Sequence, residues 1–238
     1  YIGASNNSIY IPYTVTYCVN TGDVYAGYRA GGLVGYAYAS GKTTSYYIEI
    51  ISSVNIANVY AGRASENLAG SAQYSFASPF IGYSNSVYNS IIGCLSVGEL
   101  GAIEGEGFVA PYRCIMGCSS AITPDCVLED NYVLDYDTIE WYSYATSDDN
   151  AAQRIIIDDA ISTGKITRCT DAELKNGTIL DKLNAAAASA IFVADTLTGY
   201  PTIDLTLRDQ RAASDTLPGD EETTEVTTTE EPVVTTEA

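Results

Sequence analysis

The chain has 238 residues, 46% of them hydrophobic and only 17% charged, which is enough for one or two domains with real cores. Its formal charge is −19, from 30 acids and 11 bases, with no histidine. Such a balance is unsuited to nucleic acid or an anionic membrane surface, and without histidine the Ser–His and Cys–His nucleophile systems are excluded within this chain.

The charge is unevenly spread. Residues 1–114 hold 6 acids and 4 bases, and residues 215–238 hold 8 acids and no base. No stretch approaches the roughly 20 apolar residues of a membrane span. The first residues, YIGAS, read as the end of an earlier repeat, with Ile2-Gly3 matching Val34-Gly35. The expectation is a piece of a longer polypeptide with further modules upstream and downstream.

Between Cys18 and Arg113 nearly the same text appears three times. CVNTGDVYAG (Cys18 to Gly27) is closed by AGGLVGYA (Ala30 to Ala37). SVNIANVYAG (Ser53 to Gly62) is closed by PFIGY (Pro79 to Tyr83). CLSVGELGAI (Cys94 to Ile103) is closed by GFVAPY (Gly107 to Tyr112). The starts at 18, 53 and 94 give periods of 35 and 41 residues, lengths that belong to stacked repeat architectures. Apolar residues alternate within each copy, with Gly and Asn clustered between, so each copy is read as short strands joined by tight turns. The expected fold is mainly β: a β-helix-like solenoid of about three irregular coils over residues 1–126. Val24, Val59 and Leu100 should form one inward column. The glycines of Gly31-Gly32 and Gly35 should supply positive φ or close approach between coils.

Six cysteines need a reading. Cys114, Cys118 and Cys126 have a C-x3-C-x7-C spacing that matches no common zinc pattern. Cys18, Ser53, Cys94 and Cys126 are read as one equivalent position per coil. Rungs about 4.8 Å apart would put Cys94 beside Cys126, as stacked thiols or as a disulfide.

Fifteen of the 20 tyrosines lie in residues 1–114. Tyrosine covers an exposed sheet face well; it also builds aromatic binding surfaces. The candidate ligand surface is Tyr25, Tyr36, Tyr38, Tyr60 and the only tryptophan, Trp141, with a glycan or a surface protein as the expected partner. Paired carboxylates are the remaining catalytic candidates: Glu104 with Glu106, and Asp135 with Asp137. Asp148-Asp149-Asn150 and Asp158-Asp159 lack the spacing of a known calcium loop. A solvated acidic loop is the favoured reading of all of them, so no catalytic residue, metal or cofactor is assigned.

Residues 127–210 read as a mixed α/β segment closing the open end of the stack. Leu128 to Asp149 gives a final strand or hairpin and a loop. A helix starts at Ala151, with Asn150 as cap and Gly164 as stop. Thr170-Asp171-Ala172-Glu173 is a capping box for a short helix ending near Gly177, and Thr178 to Ala190 is a second helix. Ile191 to Val193 and Thr202 to Leu207 are short strands around a turn at Gly199-Tyr200-Pro201. The apolar residues Ile155, Ile156, Ile161, Leu180, Leu183 and Ile191 should pack on the end of the solenoid. Residues 211–238, rich in Thr and Glu, cannot bury a core and are read as a disordered linker.

The CVNTGDV…AGGLVGYA pattern resembles the GLUG-motif repeats of bacterial surface adhesins and large secreted proteins. Thr170 to Leu205 is similar to the closing segment that often follows them. The resemblance covers about residues 1–207, although the second repeat has SPFIG for GGLVG and the third reads EGFVA. It implies a secreted or cell-surface, non-catalytic stalk or adhesive module of a bacterial protein, with a host or plant glycan or a surface protein as partner. The alternatives are a carbohydrate-binding module of a larger exported enzyme and a glycan-cleaving β-helix.

Overall fold

The structure is a computed structural model that describes residues 2–4, 13–39, 47–64, 75–84, 88–105, 108–109, 112–113, 115–118, 127–135, 163–207 and 209. Short runs of two to five residues, many of them rich in Val, Ile, Tyr and Thr, make short strands. Strand β1 (Ile2–Ala4) comes first. The first full repeat supplies β2 (Tyr13–Thr16), β3 (Val19–Asn20), β4 (Val24–Ala26), β5 (Arg29–Gly31) and β6 (Ala37–Ala39). The second supplies β7 (Tyr47–Ile51), β8 (Val54–Asn55), β9 (Val59–Ala61), β10 (Arg63–Ala64), β11 (Phe76–Ser78) and β12 (Ile81–Ser84). The third supplies β13 (Tyr88–Ile92), β14 (Leu95–Ser96), β15 (Leu100–Ala102), β16 (Phe108–Val109), β17 (Tyr112–Arg113) and β18 (Met116–Cys118). Then follow β19 (Val127–Glu129), β20 (Asn131–Leu134) and β21 (Ile166–Cys169).

Equivalent strands of successive repeats pair in parallel. The sheets run β1-β6-β12-β18, β2-β7-β13-β19, β3-β8-β14-β20-β21, β4-β9-β15 and β5-β11-β17. Only β10 with β16, and a C-terminal pair described below, are antiparallel among the described residues. The architecture is therefore mainly β, with parallel sheets of a β-helix-like kind. Val24 pairs with Val59 and Val59 with Leu100. Val59 and Leu100 are buried, Val24 partly so, and all three belong to the inner core with Ile50, Ile91 and Ile81. Each such side chain stabilises by roughly 1.5–3 kcal/mol.

One bend recurs in every repeat. Tyr17, Ser52, Gly93 and Asp130 all have φ between 45° and 62°, the left-handed region. The residue after each bend repairs the ladder that the bend interrupts. Ser53 Oγ accepts from the Cys18 N–H (3.1 Å) and donates to the Ile51 carbonyl (2.9 Å). Asn131 Oδ1 accepts from the Cys94 N–H (3.1 Å), while its Nδ2 donates to the Ile91 carbonyl (2.6 Å). The fourth member of the series is thus Asn131, not Cys126. Leu95 pairs with Tyr132, so the register places Asn131 one position earlier, beside Cys94. Cys126 lies outside the described residues, as does Cys114. Cys18, Cys94 and Cys169 are free thiols. Burial pushes the Cys94 thiol up to about 12, against the weaker pull of backbone N–H groups, Ser53 first.

Two further ladders follow the same register. Asn20 Nδ2 donates to Asn55 Oδ1 (2.9 Å), and Asn55 Nδ2 donates to Ser96 Oγ (3.2 Å) and to the Ala57 carbonyl (2.9 Å). Asp23 Oδ1 accepts from the Asn58 N–H, and Asn58 Oδ1 from the Glu99 N–H, each at 2.9 Å.

Gly31 and Gly32 of the closing element serve close approach, whereas Gly35, 3.8 Å from its nearest neighbour, leaves room for a Cβ. Neither Gly31, Gly32 nor Gly35 has a positive φ, but a Cβ on Gly31 would lie 2.1 Å from the Val34 carbonyl oxygen and 2.3 Å from the Gly82 nitrogen. The closing element of the third repeat is also not GFVAPY. Val34 bridges Ile81, and Ile81 pairs with Met116, so its counterpart is Ile115-Met116-Gly117; Phe108–Val109 turns back to pair with β10. Likewise Ile2 pairs with Ala37, not Val34, because β1 lies on β6 and not on the bend before it.

The parallel ladder runs past residue 126 to Cys169, where Asn131 pairs with Ile166. Helix α1 (Asp171–Lys175) follows, with the capping box present: Thr170 Oγ1 accepts from the Glu173 N–H, and the Glu173 carboxylate accepts from the Thr170 N–H. Gly177, at φ 90°, makes the junction to α2 (Thr178–Ala186). Strands β22 (Phe192–Ala194) and β23 (Pro201–Ile203) form the antiparallel pair. The expected strand to Leu207 stops at Ile203; residues 205–207 are helical. Leu174, Ile179, Leu183, Ile191 and Phe192 form a second core with Val54, Leu95 and Tyr132 of the β3-β8-β14-β20-β21 sheet. They cover the outer flank of that sheet across several repeats, not the end of the stack, because outward Val54 and Leu95 leave an apolar face there. Ile155, Ile156 and Ile161, with the helix expected from Ala151, lie outside the described residues, as do residues 211–238. Residues up to Asp204 belong to one compact unit.

Candidate functional site

Two aromatic groups stand out from the framework. In β4, β9 and β15 the residues flanking the centre face the core, so the central residue faces outward. These centres are Tyr25, Tyr60 and Gly101, register partners in successive repeats. The rung spacing stacks the two rings, with centroids 5.0 Å apart and planes 17° from parallel. A Cβ on Gly101 would lie 2.4 Å from Tyr60 Cδ1, so the Tyr60 ring rests over the glycine. Tyr25 remains 66% exposed. The Tyr60 hydroxyl is raised above its ordinary value by burial and then by Glu99, Tyr25 and Asp23. The stack therefore has an acidic neighbourhood.

The second group is built around Arg29, at the start of β5. Its guanidinium carbon lies 3.4 Å from the centre of the Tyr83 ring, 4.4 Å from Tyr28 and 4.8 Å from Tyr36. Tyr36 stacks on Tyr83 with centroids 5.5 Å apart, and buried Phe76 supports Tyr83 from 5.7 Å. Arg29 Nη2 donates to the Tyr28 hydroxyl (3.1 Å). Its Nε–H is buried and has no acceptor, and no carboxylate pairs with the guanidinium among the described residues.

The expected ligand residues therefore divide. Tyr25 and Tyr60 come together, and Tyr36 joins the arginine group. Tyr38 lies in β6, with its side chain outside the described set, and Trp141 is outside altogether. Arg29, Tyr28, Tyr83 and Phe76 went unread in the sequence. A signal existed, since GLVGY and PFIGY align Tyr36 with Tyr83 beside the only base of the first repeat.

Neither proposed carboxylate pair can be assembled from the described residues. Glu104 is exposed, and its partner Glu106 lies outside them. Asp135 is exposed and sits 3.8 Å from Arg168 in an ion pair, with Asp137 outside. Asp148, Asp149, Asn150, Asp158 and Asp159 are outside as well. Among the described residues no group of acids and thiols is arranged to hold a metal ion, and no helix is long and apolar enough to cross a membrane. The aromatic groups can stack flat faces and accept a charged group. No family model, curated protein or solved structure matches the chain.

Proposed function

We propose that this chain is a β-solenoid of GLUG-like repeats serving as a non-catalytic structural and adhesive module of a secreted or cell-surface bacterial protein. The observation that carries the reading is the unbroken parallel register through Val24, Val59 and Leu100, and through Val19, Val54, Leu95 and Tyr132. Such a framework spends its inward residues on packing and leaves outward positions free to vary. A glycan or a protein of a host or plant surface is the partner class, contacted by the outward tyrosines.

A carbohydrate-binding module of a larger exported enzyme is the second reading, favoured by the exposed Tyr25 ring stacked on Tyr60. The test is a panel of immobilised neutral and acidic polysaccharides and surface-protein extracts, probed with the chain and with Tyr25→Ala/Tyr60→Ala, alongside a reducing-end assay. Retention on a surface component without release of reducing ends supports the adhesive module. Release of reducing ends that is lost in Asp135→Asn would overturn it in favour of a glycan-cleaving β-helix.

A further inference from the structure

Arg29 is the cation to explain. Arg29 is half-buried, its Nε–H is buried against the rings, and an N–H left there without an acceptor costs free energy. Charged groups so placed are normally paired, yet among the described residues the one hydrogen bond Arg29 makes is to a neutral hydroxyl. In a chain of net charge −19, acids are abundant, but none of the described ones has been brought to it. The rings hold the guanidinium in place: Tyr83 is buried against Phe76, and Tyr36 is stacked on Tyr83. The side chain is thus pre-organised without an anion.

We infer that Arg29, with Tyr28, Tyr36 and Tyr83, forms a subsite for the carboxylate of an acidic sugar residue. The inference rests on the adhesive reading and names the ligand class. A planar guanidinium matches a planar carboxylate better than it does a tetrahedral anion. One arginine balances one charge, which suits a uronate-type residue and not a multiply charged phosphate. Tyr28 and Tyr36, both half-buried, border the guanidinium with aromatic rings, the surroundings in which the apolar C–H face of a pyranose packs. An acidic peptide offers the same carboxylate without that ring.

The experiment is calorimetric titration of the full chain with three probes: oligogalacturonate, neutral galacto-oligosaccharide and a short glutamate peptide. Oligogalacturonate is expected to bind, and Arg29→Gln to weaken it about ten- to a hundredfold, as loss of a charge-assisted hydrogen bond implies. Arg29→Lys should recover part of that loss. Because a variant could disturb packing, the wild-type Arg29 Nε–H resonance provides a second readout: it should shift with oligogalacturonate and not with the neutral sugar. Equal binding of the neutral sugar, equal binding of the peptide, an unmoved Nε–H, or no binding of oligogalacturonate would each overturn the inference. Retention on a neutral glycan or a surface protein that is unaffected by Arg29→Gln would leave the adhesive module standing while removing this subsite.

Discussion

Asn55 offers the sharpest test of how the repeats are held together. It is fully buried, and its amide joins three repeats: it accepts from Asn20 Nδ2 at 2.9 Å and donates to Ser96 Oγ at 3.2 Å and to the Ala57 carbonyl at 2.9 Å. Asn55→Ala removes all three bonds. Ala57 and Ser96 are buried, so their oxygens lose a donor where water cannot replace it, at about 1–3 kcal/mol each. The Asn20 end is partly open to solvent and adds little. The expected destabilisation is therefore about 2–5 kcal/mol, whereas Asn20→Ala, which strands only the Asn55 Oδ1, should cost about 1–2 kcal/mol. Equilibrium urea denaturation followed by circular dichroism would measure both as shifts of the midpoint at constant slope. If Asn55→Ala costs no more than Asn20→Ala, the ladder is ornamental and packing of the inner column alone sets the stack.

Gly98→Ala should prevent folding or lower the melting temperature steeply, because the new Cβ would lie 1.7 Å from the Ala57 carbonyl oxygen. Gly22→Ala, with nothing within 4 Å, should be nearly neutral in the same melting experiment. Leu183→Ala should cost about 2–5 kcal/mol. Through the core that Leu183 shares with Val54 and Leu95, it should also raise hydrogen exchange at their amides; unchanged exchange there would mean the helices pack independently of the sheet. The Cys94 thiol, pushed up to about 12 by burial, keeps its proton in the folded chain while the unfolded thiol ionises from about pH 9. Its contribution to stability is thus complete below pH 9 and is lost between about 9 and 12. Urea midpoints at about pH 8 and pH 10.5 should diverge less in Cys94→Ser than in the wild type.

The repeats and the column of Val24, Val59 and Leu100 could be read from the text because VYAG, VYAG and LGAI sit at identical offsets from their VN or LS. Other features could not. The spacing of Cys18, Ser53 and Cys94 points to Cys126 as the fourth member, but the position requires only a side chain that can serve the groups freed at the bend, and Asn131 does so. The bend itself is invisible in composition, since Tyr17, Ser52, Gly93 and Asp130 share a backbone angle and no chemistry. The capping box at Thr170 was legible because all its atoms are local. The placement of α1 and α2 on a flank was not, because it depends on which face of a distant sheet is left apolar. The arginine group draws Tyr28 and Tyr36 together with Tyr83 across two repeats, so its contacts exist only once the register does.

That register also shows where the chain tolerates extra length. From Tyr13 to Ala26 every strand residue pairs with the one 35 positions later, without insertion, and the 41-residue offset that follows is equally constant from Tyr47 to Ala61. At the next strand the offset jumps: Arg29 pairs with Phe76, 47 residues on. Between the first two repeats, additional residues therefore enter at the corner after β9 and at the corner before β7, while three consecutive strands and two bends stay fixed in length; in the third repeat the offset also slips by a residue within the β12–β18 pair. For protein engineering, those two corners are the grafting points: a foreign peptide inserted there would ride on the stack without shifting a single rung, and one inserted between Val54 and Ala61 would throw every later rung out of step.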